Sequence, residues 1–137
     1  QLDSSVASRV LLDTRLENGQ GFVLQHKGNG QLELVLDDGR TRASWDSDPR
    51  VVSVGKRHHA VVIVDGGPNV ISFVVDGRLC DGGDFRQFGW GRFSPHLRHA
   101  NGSPRLLIDG AIDLLRVYGR ALRTSEAISN YRSGDGV

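Results

Sequence analysis

The stretch 81–92 sets Asp81, Asp84, Arg86, Gln87, Trp90 and Arg92 among glycines at 82, 83, 89 and 91. Saccharides need this combination. An indole face packs on the C–H face of a sugar ring, and carboxylate, amide and guanidinium groups hold its hydroxyls. Glycines allow the backbone to approach a ligand closely. The same stretch has a second reading, in which Phe85, Phe88, Trp90 and Phe93 plug the open end of a β structure and bury there. Trp45 ends a strand-like run before the polar loop 46–50, and is either an aromatic platform or a core plug. Calcium is a candidate cofactor, because Asp46, Asp48 and Asp65, with Asp81, supply hard oxygen ligands in loops. Solvated turn aspartates look the same in sequence.

Other chemistries are poorly served. Hydrolysis of a glycoside needs paired carboxylates about 5–10 Å apart, yet Glu17, Glu33 and Glu126 stand isolated. His58 and His59 are adjacent, so a strand points them to opposite faces and they cannot chelate one ion together. His96 and His99 lie in a loop with no acidic or cysteine neighbour. No G-x-S-x-G elbow offers a nucleophile. Asn101-Gly102-Ser103 fits a glycosylation triplet, but Pro104 follows it.

The elements that would position these residues are strands. Val10 to Leu12 is a short apolar run; 21–25 and 31–36 form a hairpin across Gly28-Asn29-Gly30, and 41–45 and 51–54 are further extended runs. The clearest hairpin joins 58–65 to 70–77 through Gly66-Gly67-Pro68-Asn69. Residues 79–104 lose periodicity and gain glycine, which suits a long surface excursion with one short strand in it. The chain is organised around 105–122: an apolar strand, a turn at Asp109-Gly110, and a strand at 111–118 whose two faces both carry apolar residues, as a buried central strand would. Thr124 or Ser125 then caps a short helix with Glu126 in its first turn and a stripe of Ala127, Ile128 and Tyr131.

Composition sets the bounds. A chain of 137 residues with 38% hydrophobic content and 18 glycines is read as one all-β domain spanning 1–137. Its 17 basic and 16 acidic residues are interspersed, leaving no basic stripe for nucleic acid or an anionic membrane. Lysine occurs only at Lys27 and Lys56, an arginine bias that fits the coding of a G+C-rich bacterial genome better than a function. Cys80 is alone, so no internal disulfide forms, and no apolar run approaches the roughly 20 residues that cross a bilayer. The absence of methionine suggests an excised domain or processed fragment.

The run Gly55-Lys56-Arg57-His58-His59-Ala60-Val61-Val62-Ile63-Val64-Asp65-Gly66, followed by Phe73-Val74-Val75-Asp76-Gly77, resembles the G-x-W-H-H-V-A-V-x-x-D-G and L-Y-V-D-G signature of LamG-like, concanavalin A-like jelly-roll domains. Gly110-Ala111-Ile112-Asp113, Leu115-Arg116-Val117-Tyr118-Gly119-Arg120-Ala121-Leu122 and Ser125-Glu126-Ala127-Ile128 are similar to that superfamily's closing motif. The resemblance implies an antiparallel β-sandwich with one short C-terminal helix. Arg57 stands where the signature has Trp, and the usual opening strands before Val10 are missing. Their loss is expected to open a sheet edge beside Val10 or Gln31, through which two chains associate as a homodimer. The superfamily holds carbohydrate-binding modules, adhesion modules and glucanases. With no catalytic pair in sight, the expectation is a non-catalytic module binding a poly- or oligosaccharide, carried by a secreted, extracellular polysaccharide-active enzyme. A protein-interaction or adhesion module of the same fold is the alternative.

Overall fold

The computed structural model describes residues 8–53, 55–84, 86–97, 100–118 and 120–132. Strands β1 (Arg9–Asp13), β2 (Gly21–His26), β3 (Leu32–Asp37), β4 (Arg42–Asp46) and β9 (Leu107–Ile108) form one sheet in the order β4-β3-β2-β1-β9. The second sheet is β5 (Ala60–Asp65) on one edge of β6 (Val70–Val75), with β7 (Arg78–Leu79) and β8 (Trp90–Arg92) sharing the other edge. Every pairing is antiparallel. Helix α1 (Thr124–Arg132) follows the strands.

Register explains the core. Leu12, Leu24, Leu34 and Trp45 stand opposite one another across the first sheet, and Phe22, Leu36 and Ala43 form the adjacent row. These rows face Ile71, Phe73 and Val75, alternate residues of β6, in a common apolar cluster. A register shift between Val10 and Leu12 lets Leu11 and Leu12, consecutive in β1, both bury. On the outer face of the second sheet, Ile63 and Val74 pack under Ala127 of α1, with Val61 and Ile128 beside them. The helix is closed by Glu126, whose Oε1 accepts the Arg123 N–H at 2.9 Å in a capping-box contact. Arg123, not Thr124 or Ser125, therefore occupies the cap.

The structure also corrects the sequence reading of several strands. Residues 111–118 form no strand: Leu114, Val117 and Tyr118 are exposed, while Ala111, Ile112 and Leu115 anchor the segment on the core. Alternation shows that a segment can pair, but a strand needs a neighbour in reach, and among the described residues none pairs with it. The same absence makes β5 an edge instead of a central strand. Of the two edges expected to be open, the one beside Gln31 is closed, since β3, which Gln31 precedes, is flanked by β2 and β4, whereas β9 pairs with β1 only at Leu12 and Asp13 and stops short of Val10. Residues 51–53 pack without joining a sheet; Val54, Phe85, His99 and Gly119 lie outside the described residues.

Candidate functional site

Strand β8 sets the geometry of the glycine-rich excursion. It pairs with β6 so that Gly91 opposes Ile71 on the inner face, while Trp90 and Arg92 oppose Ser72 and Val70 on the outer face. Gly91 faces in because nothing larger fits: a Cβ there would lie 2.2 Å from the Trp45 ring. The strand's alternation then turns Trp90 outward. Its ring is 38% exposed and stacks on Phe88, 48% exposed, with centroids 5.0 Å apart and planes 26° from parallel. The Arg92 guanidinium carbon lies 5.9 Å from the Trp90 ring centre, within cation–π range. Asp81, Asp84 and Gln87 are exposed in the preceding loop.

Beneath this row is a second, inward cluster. Trp45 is half-buried against the core, its Nε1–H donating to the Gly89 carbonyl at 3.2 Å. Arg86 lies over that ring, its guanidinium carbon 4.1 Å from the centre, and Nη2 donates to the Asp46 carbonyl at 2.8 Å. Asp48 Oδ1 accepts from Gly82 N–H at 3.0 Å and sits 3.4 Å from Arg86 Nη2. The loop is thus clamped to the end of β4 by Arg86, Asp48 and Trp45. Gly89 packs so tightly that a Cβ would meet the Cys80 carbonyl oxygen at 1.7 Å. Burial pushes the Cys80 thiol above its ordinary pKa, which leaves it inert as a nucleophile.

The sequence candidates therefore divide between the two clusters. Trp90, Asp81, Asp84 and Gln87 face solvent; Trp45 and Arg86 hold the loop from below. Phe88 joins the exposed row, whereas Phe93 is buried in the core. Sequence reasoning counted Phe88 among the plugs and passed over its stack with Trp90. The signal was there in Phe88-Gly89-Trp90-Gly91-Arg92, which puts large planar groups on one face and glycines on the other.

The calcium candidates each have a protein partner. Asp46 Oδ2 takes Lys27 Nζ at 3.1 Å, Asp48 holds Gly82 and Arg86, and Asp65 Oδ1 accepts the Gly67 N–H at 3.0 Å. Among the described residues no group of three or more His, Cys, Asp or Glu converges. His58 and His59 are held in structural contacts. Ser53 N–H donates to His58 Nε2 at 2.9 Å, so Nδ1 carries the proton given to Asp76 Oδ2 at 2.6 Å, and neither nitrogen is left to act as a base. Asp76 Oδ1 also accepts the His59 N–H, and the His59 ring meets Tyr131 of α1 at 5.5 Å.

The sequence model of the Concanavalin A-like lectin/glucanases superfamily, of laminin G type, matches residues 1–128. The chain belongs to this superfamily. The fold agrees: the Ruminococcus gnavus IT-sialidase CBM40 bound to alpha2,3 sialyllactose superposes with a TM-score of 0.64 at 17% identity, covering 90% of this chain and 73% of that one. The same module bound to alpha2,6 sialyllactose gives 0.61 at 18%, over 90% and 74% of the chains. Among proteins of curated function, none matches by sequence. For this superfamily member, as for others on the scaffold, function rests on the loops and exposed faces.

Proposed function

We propose that the domain is a non-catalytic carbohydrate-binding module that holds a poly- or oligosaccharide on the exposed row of Phe88, Trp90 and Arg92. The observation that carries this reading is the stacked, solvent-facing aromatic pair formed by Trp90 of β8 and Phe88 just before it. Exposed aromatics in contact are uncommon on a free surface unless something packs on them, and a pyranose offers the flat C–H face that suits them. Asp81, Asp84 and Gln87 border the row and would take ring hydroxyls, with Arg92 as a further donor. Arg86 and Trp45 act as positioning residues, holding the loop that carries these groups. Two fold neighbours with sialyllactose bound support the class of ligand. Scattered, ion-paired carboxylates argue against glycoside hydrolysis. As a module of this kind, it would serve a secreted, polysaccharide-active bacterial enzyme by keeping it on its substrate. Among the described residues no helix is long and apolar enough to cross a membrane.

Titration against a panel of oligosaccharides, sialyllactose included, tests the proposal. Trp90→Ala should weaken binding by about 1–3 kcal/mol, roughly 5- to 150-fold in Kd, with the unfolding midpoint unchanged. Glycan binding that survives Trp90→Ala and Phe88→Ala together would place the ligand elsewhere.

A further inference from the structure

Asparagine precedes glycine at three places, Asn18-Gly19, Asn29-Gly30 and Asn101-Gly102, and all three asparagines are exposed. Such a pair can react with itself. Once the glycine main-chain nitrogen gives up its proton, that nitrogen attacks the asparagine side-chain carbon, and the missing Cβ of glycine leaves the approach uncrowded. The N–Cγ bond forms, the Cγ–Nδ2 bond breaks, and ammonia leaves carrying the displaced proton. Water, the one co-reactant, then opens the cyclic imide to aspartate or isoaspartate. The reaction needs a glycine N–H that can be lost and a side chain that can turn onto it. The first two pairs supply neither. Gly19 N–H donates to the Leu16 carbonyl at 2.9 Å and Gly30 N–H to the Lys27 carbonyl at 3.0 Å. Their asparagines are engaged as well: Asn18 Oδ1 accepts the Gln20 N–H at 2.9 Å, and Asn29 both accepts the Gln31 N–H at 3.3 Å and donates Nδ2–H to Gln31 Oε1.

We infer that Asn101 is a self-modification site, deamidating through Gly102 in the folded domain ahead of Asn18 and Asn29. Among the described residues nothing accepts from the Gly102 N–H, and nothing holds the Asn101 side-chain amide. The peptide unit between the two is activated besides. Gln20 Nε2 donates to the Asn101 carbonyl at 3.0 Å, which draws electron density from the amide and makes the Gly102 proton easier to lose. Pro104, which spoils the same asparagine as a glycosylation acceptor, takes no part in a ring closed by 101 and 102 alone. The position gives the change a consequence. Ser103 N–H donates to the Thr14 carbonyl at 2.6 Å, and Gly102 packs so closely there that a Cβ would stand 1.9 Å from that oxygen. Residues 101–103 thus clasp the chain where β1 ends. An isoaspartate at 101 routes the main chain through the former side-chain carbon, adding an atom to a clasp that has no slack, and the clasp loosens.

Incubation of the folded protein at mildly alkaline pH, followed by peptide mapping with mass spectrometry, tests this. Asn101 should convert roughly tenfold faster than Asn18 or Asn29, whose glycine amides must first break a hydrogen bond. The rate should climb with pH, since the step begins with loss of a proton. In urea at the same pH the three pairs should react alike, because the fold and not the dipeptide makes the choice. Asn101→Gln keeps the amide but lengthens the chain that must cyclise, and should stay unmodified at 101. Its unfolding midpoint should hold through the incubation, while that of the parent falls as isoaspartate accumulates. Conversion led by Asn18 or Asn29, no conversion at Asn101, the same ranking in urea as in the folded protein, or an equal fall in midpoint for Asn101→Gln would each overturn the inference.

Discussion

At Gly91 the absence of a side chain does two things at once. It makes room for the Trp45 ring on the inner face, and it keeps the strand flat enough to present Trp90 and Arg92 outward. The constraint is steric, since Gly91 is not among the glycines of positive φ. Gly91→Ala would drive a methyl into Trp45 Cε3 and should cost about 1–3 kcal/mol of stability, as overpacking does, measured by denaturant unfolding. Because the ring and strand must shift, glycan affinity should fall in the same variant. Gly110 is the control: a Cβ there meets nothing within 4 Å, and Gly110→Ala should move neither quantity. Residue types alone pointed to a saccharide surface in 81–92, and the exposed row lies there. What the types could not show is that Arg86 lies over Trp45, because that contact joins positions 41 apart in the chain and depends on how β4 and the loop meet.

Among the elements, α1 was readable in kind and place, though its cap sits one residue earlier at Arg123, because its signals are local: an acid in the first turn and an apolar stripe that fits the outer face of β5 and β6. Glu126 is held at about 2, first by its hydrogen bond to Arg120 and then by the Arg123 N–H. A depressed carboxyl stabilises the fold above its unfolded value of 4.5, and that contribution is lost as pH falls toward 2. Glu126→Gln should therefore flatten the acid side of a plot of melting temperature against pH, by an amount that shrinks in salt because the pair is exposed. Hairpins 21–37 and 60–75 were equally legible, since each strand finds its partner across a short turn. Residues 111–118 were not, because their expected partner is not a neighbour in sequence and the described chain supplies none. The rule that alternating apolar residues make a strand holds only where main-chain bonds have somewhere to go.

For the molecule as a whole, a packed core shades into an open one, and stability should map that gradient. At the packed end His26 is 3% exposed, and its Nε2 has no hydrogen-bond partner. Burial, with His58 nearby adding a smaller effect, pushes its pKa below 6.5. The unfolded chain then takes the proton first, so stability is full above 6.5 and declines as pH falls below it. Denaturant unfolding at about pH 7.5 and pH 5, a window above the titration of the depressed Asp13, Asp109 and Glu126, should show this loss in the parent. His26→Leu should show less of it.

Phe73 and Val62 measure the gradient across the second sheet. They stand opposite each other in register on the same inner face, one fully buried in the central strand and the other half-buried at the edge of a cavity lined by β5. Truncating Phe73 opens a hole in close-packed surroundings and should cost about 3–5 kcal/mol, a large share of the roughly 5–15 kcal/mol available to a domain. Truncating Val62 only enlarges a space already empty, with few packed neighbours to lose, so Val62→Ala should cost about 1 kcal/mol or less. Equal costs in paired denaturant titrations would mean that the sandwich closes over β5 in solution.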